Sequence, residues 1–258
     1  MITGIKELYG YREMLRNLVR KDLRTRYKGS FLGFLWTFIN PLLQLIVYTI
    51  VFSTIMRTNI DKFYMYLFVA LIPWIFFTSS IQGGATSIIT NKDLIKKIYF
   101  PRLIIPLSVV NAAFMNMLFS MVVVFIVLLI SGIGLSKYIL LLPLVMILEY
   151  LFVLGLSFMF SALNVYFRDL EHILGIITMV WFYLTPIVYG VDMIPEKYLG
   201  LFYLNPMTNM VIAYRDILYY KKVPDFSTFG SIFAWSVIFI VLGYVVFQNL
   251  QKNFVEEL

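Results

Sequence analysis

The 258-residue sequence contains no cysteine, which excludes disulfides, thiolate metal sites and a cysteine nucleophile. Histidine is nearly as scarce. His172 stands alone, so no histidine-rich metal site can be assembled, and a single loop histidine is ordinarily just solvated. The dipeptide Gly-Lys occurs nowhere, so the phosphate loop G-x-x-x-x-G-K-[ST] is absent and any ATP used must be bound by another chain. Neither a G-x-S-x-G elbow nor an H-E-x-x-H helix is present, which removes two common hydrolase designs. The first thirty residues are polar and basic, without the apolar core and small-residue cleavage site of a signal peptide. There is no internal repeat or low-complexity tract, and the inverted repeat of many ion-coupled carriers is not evident.

Charge is also in short supply. Charged residues make up 14% of the chain and hydrophobic ones 61%, against about 25% and about 45–50% in soluble domains. The mean hydropathy is +0.86. So much apolar surface has to face something other than water. A membrane-spanning helix needs about 20 apolar residues, because the hydrocarbon layer is about 30 Å thick. No charged residue lies between Lys28 and Arg57, Lys62 and Lys92, or Arg102 and Lys137; Glu149 alone interrupts Lys137 to Arg168; the stretches His172–Asp192 and Asp225–Lys252 are clear inside. These gaps predict an all-α integral membrane protein with six helices, roughly 33–56, 63–84, 104–131, 138–163, 171–190 and 228–250. They form a single transmembrane domain over 1–258: an interface segment at 1–30, helices 1–5 within 31–192, an outer segment at 193–222 and helix 6 at 226–251.

The net charge of +7 raises the question of nucleic acid, but the cations sit beside apolar runs, a pattern that suits an anionic membrane face. With the N-terminus inside, the cytoplasmic segments hold Lys6, Arg12, Arg16, Arg20, Lys21, Arg24, Arg26, Lys28, Lys92, Lys96, Lys97, Arg102, Arg168 and Lys252. The outer segments hold only Arg57, Lys62, Lys137, Lys197, Arg215, Lys221 and Lys222. The positive-inside rule therefore places both termini in the cytoplasm.

Two segments depart from a plain bundle. In 5–28, Leu8, Tyr11, Leu15, Leu18, Val19, Leu23 and Tyr27 recur at helical steps while Arg12, Arg16, Arg20, Arg24 and Lys28 sweep a basic face. A helix lying on the membrane surface fits this; an ordinary basic tail is the alternative. In 193–222, two apolar pieces too short to span are broken at Asn205-Pro206, since proline lacks an N–H and disfavours helix just before itself. Two half-helices entering from the outer side fit, provided protein or water surrounds the break; a decorated outer loop is the alternative.

Candidate chemistry is thin. Asp169 and Glu171, like Asp192 and Glu196 around Pro195, sit where a helix dipole favours acids. Gly83-Gly84 suits close helix packing better than a phosphate cradle. Glu149 is the clearest ionisable group inside a span; such groups face the bundle interior, as a substrate or proton site or, preferred here, as a structural partner. The aromatics Trp36, Trp74, Phe76, Phe77, Trp181, Tyr183 and Tyr189, with Phe182 among them, lie near expected helix ends. They form a headgroup belt, or some line a path and stack on sugar rings.

The ordered set of segments resembles one family. Val19–Ser30 leads into Leu32-Gly33-Phe34-Leu35-Trp36 and Asn40-Pro41-Leu42; Ile72-Pro73-Trp74-Ile75-Phe76-Phe77, Asn164–Leu170 with its Arg168-Asp169, Thr185-Pro186-Ile187-Val188-Tyr189, Leu204-Asn205-Pro206 and Tyr214-Arg215 follow in order. Together they are similar to type-2 ABC exporter permeases that move polysaccharides, nearest to those for O-antigen and wall teichoic acid. The resemblance implies a transport subunit rather than an enzyme: a homodimer in the bacterial cytoplasmic membrane, joined by two copies of a separate ATPase that binds ATP and magnesium. The cargo would be a polymer on undecaprenyl diphosphate, with no nucleic acid partner and no metal or cofactor in this chain. It further implies ATPase coupling through Asn91, Lys92, Asp93, Lys96 and Lys97 with a second contact at Arg168 and Asp169. Outer gate helices would carry Pro195, Asn205, Pro206, Tyr214 and Arg215. Arg24, Arg26, Lys28 and Arg102 could attract the diphosphate. The alternatives are a drug or lipid exporter of the same fold, a membrane enzyme acting on lipid-linked sugars, and an ion-coupled carrier or channel.

Overall fold

A computed structural model describes residues 8–25, 29–55 and 60–257. Among these every regular element is helical and none is a strand. A helical turn at 8–10 precedes α1 (Arg12–Thr25); then come a 3₁₀ turn (Gly33–Leu35), α2 (Trp36–Thr49), a π-helical stretch (Ile50–Ile55), α3 (Phe63–Thr90), α4 (Lys92–Lys97) and α5 (Ile104–Ile130). A second 3₁₀ turn (Lys137–Leu141) opens α6 (Leu142–Tyr166), followed by α7 (Leu170–Tyr183), α8 (Glu196–Leu204), α9 (Pro206–Leu218), α10 (Phe226–Leu250) and the short α11 (Phe254–Glu257). Among the described residues five stretches are long and apolar enough to cross a membrane: Gly33–Ser53, Phe63–Thr90, Ile104–Ile130, Lys137–Tyr166 and Phe226–Asn253.

The fifth expected span, 171–190, is a 14-residue helix that stops at Tyr183. Pro186 has no N–H to continue the ladder and disfavours helix at Thr185. The chain beyond it turns, and its carbonyls are used elsewhere, as described below.

Helix α3 is the hub. It is buried along most of its length, while the first and last spans show most of their surface. Phe77 stacks on Phe152 of α6 at 6.0 Å and Phe76 meets Phe114 of α5 edge-on at 5.6 Å. Gly83 lets α5 approach, since a Cβ there would touch Val109. Asn164 of α6 donates to the Ala85 carbonyl of α3 at 3.1 Å.

Helices α6 and α10 run parallel in one register: Ser236 donates to the Leu148 carbonyl at 2.6 Å, Phe158 packs on Phe247, and Tyr166 donates to the Leu250 carbonyl at 2.8 Å. At their crossing, Gly243 lies against the backbone of Gly155, and Gly155 against the carbonyl of Phe239. Two helices can come so close only where both lack a Cβ.

The outward faces carry Leu43, Ile46, Val47, Val122, Ile126, Leu129, Phe233, Val237 and Val241, all exposed. In water this would be an aggregation liability; in hydrocarbon it is the expected outer surface. Helix α1 lays Met14, Leu15 and Leu18 on the core and leaves Arg12, Arg16, Arg20, Lys21 and Arg24 exposed.

Candidate functional site

A groove of about 390 Å³ runs between α2, α3 and α7. On α3, Trp74, Thr78 and Gln82 follow one another at four-residue steps and so share a face. Gln44 and Tyr48 of α2 oppose Thr178 and Tyr183 of α7 across it. Gln82 donates to the Thr178 hydroxyl at 3.0 Å and joins the two walls. The threonines satisfy their own protons inside their helices: Thr78 donates to the Trp74 carbonyl at 3.0 Å and Thr178 to the Leu174 carbonyl at 2.8 Å. The wall therefore stays helical and still presents acceptor oxygens. A second cavity of about 770 Å³ continues from Gln82 and Gly175 past Thr86 to Glu171 and His172 at the start of α7. Gln44 and Gln82 are both exposed. Amide side chains facing hydrocarbon are costly, so this stripe is built for a polar occupant or a second protein.

The aromatic candidates separate on this geometry. Trp74 and Tyr183 line the groove, with Phe182 beside them. Phe76 and Phe77 lie in the core, away from it. Trp36 donates to the Ser30 hydroxyl at 2.9 Å, Trp181 to Asn205 at 2.8 Å, and Tyr189 to the Tyr183 carbonyl at 2.7 Å. Sequence reasoning missed Gln44, Tyr48, Thr78, Gln82 and Thr178. The four-step Thr78, Gln82, Thr86 series within an apolar helix was the available signal.

At the end of the bundle bearing α4, Ile95 is buried and anchors that short helix, while Lys92, Asp93, Lys96 and Lys97 project outward. Asn91 caps α3 by donating to the Ser87 carbonyl at 2.9 Å, and its oxygen accepts from Lys21 of α1 at 3.2 Å. Arg102 donates to the Gln251 carbonyl and stands over the Phe254 ring at 5.8 Å. A basic cavity of about 570 Å³ separates Lys96 and Lys97 from Lys252. Arg168 and Asp169 are exposed on the α6–α7 connection, beside a cavity of about 760 Å³ that also touches Glu257. Arg24 is exposed on α1; Arg26 and Lys28 lie outside the described residues.

At the other end, α8 and α9 form a hairpin. Pro195 caps α8 and exposed Glu196 starts it. Asn205 organises the bend: its oxygen accepts from Met207 N–H at 3.0 Å and from Trp181, and its amide donates to the Leu184 carbonyl and Thr185 hydroxyl at 3.2 and 3.0 Å. Trp181 packs on Phe77 at 5.0 Å. Phe77 lies fourteen residues into α3, about 21 Å along that helix, so the bend sits deep in the bundle. Pro206 opens α9 at a position where no N–H is needed. From there α9 runs toward the start of α3. Tyr214 donates to buried Glu149 at 2.6 Å. Arg215, 2% exposed, lies over the Tyr66 ring at 3.5 Å and donates to the carbonyls of Tyr66 (3.2 Å), Pro186 and Ile187 (2.6 Å).

Comparison with known proteins decides what kind of molecule carries these three features. Residues 13–219 match the ABC-2 type transporter family. The chain belongs to that family. This ABC-2 transporter chain is 36% identical over 260 residues to the O-antigen export system permease protein RfbA of Myxococcus xanthus, covering 100% of both chains. It is 36% identical to a Klebsiella pneumoniae protein of the same name, covering 95% of this chain and 94% of that one. The polysialic acid transport protein KpsM of Escherichia coli is 22% identical, with 91% and 92% covered. The resemblance read from the sequence motifs thus holds at the level of the family. The ABC-2 chain is a membrane permease with several apolar helices.

Proposed function

We propose that this chain is the permease subunit of an ATP-driven exporter that moves undecaprenyl-diphosphate-linked polysaccharide, O-antigen or teichoic acid, across the cytoplasmic membrane of a bacterium. The observation that carries this is the groove on α2, α3 and α7, a polar and aromatic stripe on otherwise apolar helices, in a chain matched end to end by a protein named as an O-antigen export permease. Amide and hydroxyl groups give a sugar chain exchangeable hydrogen bonds, and exposed Tyr183 offers its ring to the C–H faces, backed by buried Trp74 and Phe182. A drug or lipid exporter would use only the apolar part of this wall, Leu71, Ile75 and Met179; the exposed amides of Gln44 and Gln82 favour a sugar chain.

The groove is open on one side, so a homodimer that faces two copies closes a path. With the non-helical stretch 184–189 completing the crossing that α7 begins, the domain over 1–258 crosses the membrane six times, with both termini on the cytoplasmic side where the cations concentrate. Helix α1 rests at the cytoplasmic interface, and the α8–α9 hairpin is a re-entrant outer gate. No phosphate loop exists in the chain, so two copies of a separate ATPase bind ATP and magnesium. Asn91, Lys92, Asp93, Lys96 and Lys97 receive their movement, with Arg168 and Asp169 as the second contact. Arg24, Arg26, Lys28 and Arg102 draw the diphosphate headgroup to the entry side.

The test is a deletion with complementation. Surface polymer should disappear, lipid-linked polymer should build up on the cytoplasmic face, and the restored gene should reverse both. Normal display without the gene would overturn the reading.

A further inference from the structure

A cavity of about 500 Å³ opens at the end of the bundle bearing the α8–α9 hairpin and shares no lining residue with the groove. Its walls come from the start of α3, the turn at 191–192, α8, α9, the loop 219–225 and the start of α10. The volume falls in the range of small-molecule sites, about 300–1,000 Å³. Three phenol rings, Tyr66, Tyr203 and Tyr220, share the walls with three carboxylates, Asp192, Asp216 and Asp225. Tyr203 and Tyr220 are 45% and 54% exposed; Tyr219 braces the Tyr220 ring edge-on at 4.9 Å and Lys222 Nζ lies 5.9 Å from its centroid, and the rest of the ring is open to a ligand.

Asp216 makes this more than a cluster of acids. The residue is 3% exposed. Its Oδ1 pairs with Lys222 at 3.3 Å, while its Oδ2 is buried without a hydrogen-bond partner. A buried acceptor left open costs about 1–3 kcal/mol, and a donor brought by a ligand removes that cost. The wall around it is held firmly: Asn209 on α9 donates to the Tyr203 carbonyl at 2.7 Å and to Ser231 of α10 at 3.1 Å.

The ligand chemistry follows by elimination. An anion meets three carboxylates against two cations, Lys222 paired with Asp216 and Arg215 spent on the carbonyls of Tyr66, Pro186 and Ile187. A metal ion meets Lys222 on the best placed of them, and among the described residues no three His, Cys, Asp or Glu side chains are grouped to hold one. A neutral, hydroxyl-rich ring fits both halves of the site: its O–H groups donate to the carboxylates and its C–H face lies on a tyrosine. From the juxtaposition of Asp216 Oδ2 with Tyr203 and Tyr220 we infer that this cavity is a sugar-binding subsite at the outer exit, which holds a neutral sugar unit of the emerging polymer. The inference rests on the export reading above. Its walls span α8, α9 and α10, so a sugar bound there braces the hairpin against the last span.

The probe is the polymer of the exporting cells, released by mild acid and cut to short oligosaccharides, titrated by calorimetry into the full-length chain in lipid nanodiscs. The parent chain should bind. Asp216→Asn and Tyr220→Ala should each weaken binding about tenfold or more, the equivalent of one hydrogen bond or ring contact. Tyr220→Phe, which keeps the ring, should bind as the parent does. Tyr220 is largely exposed, so its variants keep the test valid even where Asp216→Asn fails to fold. No binding by the parent, or equal binding by Tyr220→Ala, overturns the inference. The two readings fail separately: a deletion strain that still displays polymer refutes export, whereas a strain that needs the chain for display, with Tyr220→Ala binding undiminished, refutes the subsite alone.

Discussion

Arg215 directs its guanidinium at three backbone carbonyls, on Tyr66, Pro186 and Ile187. One side chain thereby ties α9 to the start of α3 and to the unwound end of α7. Arginine suits this because its donors form a fixed planar fork, whereas lysine is a flexible point charge. Arg215→Met should strip three buried acceptors of their partner, and each buried acceptor left unsatisfied costs about 1–3 kcal/mol. Thermal unfolding of the detergent-solubilised chain should begin several degrees lower, and Arg215→Lys should recover only part of the loss. Unchanged melting in Arg215→Met would contradict this role. The sequence marked Tyr214-Arg215 and counted Arg215 among the outer cations, but it could not reveal the burial. The acceptors are main-chain carbonyls, which every residue has, so nothing in the side chains of 66, 186 or 187 announces them. Glu149 was more legible: an acid alone in an apolar run needs a partner, and Tyr214 supplies it 65 positions away.

Among the elements, the α6–α10 pair is the most closely packed. Gly155 and Gly243 remove the side chains that would hold these helices apart. Gly243→Val would place branched carbons on the Gly155 backbone, and overpacking of this kind costs about 1–3 kcal/mol or more. The expected outcome is reduced yield of folded protein and faster proteolysis near 226–250. The mild change Gly230→Ala, where a Cβ meets nothing within 4 Å, should leave both unaltered. A Gly243→Val protein as stable as Gly230→Ala would refute the close crossing. Element positions were largely legible, because a charge cannot sit in hydrocarbon and so the gaps between charges outline the apolar helices. The end of α7 was not. The gap His172–Asp192 is long enough to span, yet Pro186 stops the helix and the freed carbonyls go to Arg215. Charge spacing measures apolar length and is blind to a backbone ended by proline.

On the scale of the whole molecule, one face differs from the rest. Most outward surfaces are bare aliphatic, whereas the α2–α3–α7 face carries amides, hydroxyls and rings from Tyr183 down to His172. The sequence made the family legible through ordered motifs, but most of these motifs turn out to hold the scaffold. Asn205-Pro206 forms the bend, Trp181 supports it, and Phe76 and Phe77 fill the core. The groove residues sit on three helices separated in sequence, so only their assembly exposes the stripe. The role proposed for this face is to conduct polymer. Its most direct measurement uses inverted membrane vesicles that hold the chain with the proposed partner ATPase and are supplied with lipid-linked polymer. Added ATP should shield the polymer from an external degrading enzyme, and Thr178→Trp, which fills the groove, should abolish that shielding while hydrolysis continues. ATP hydrolysis without any shielding by the parent, or full shielding by Thr178→Trp, would contradict the account.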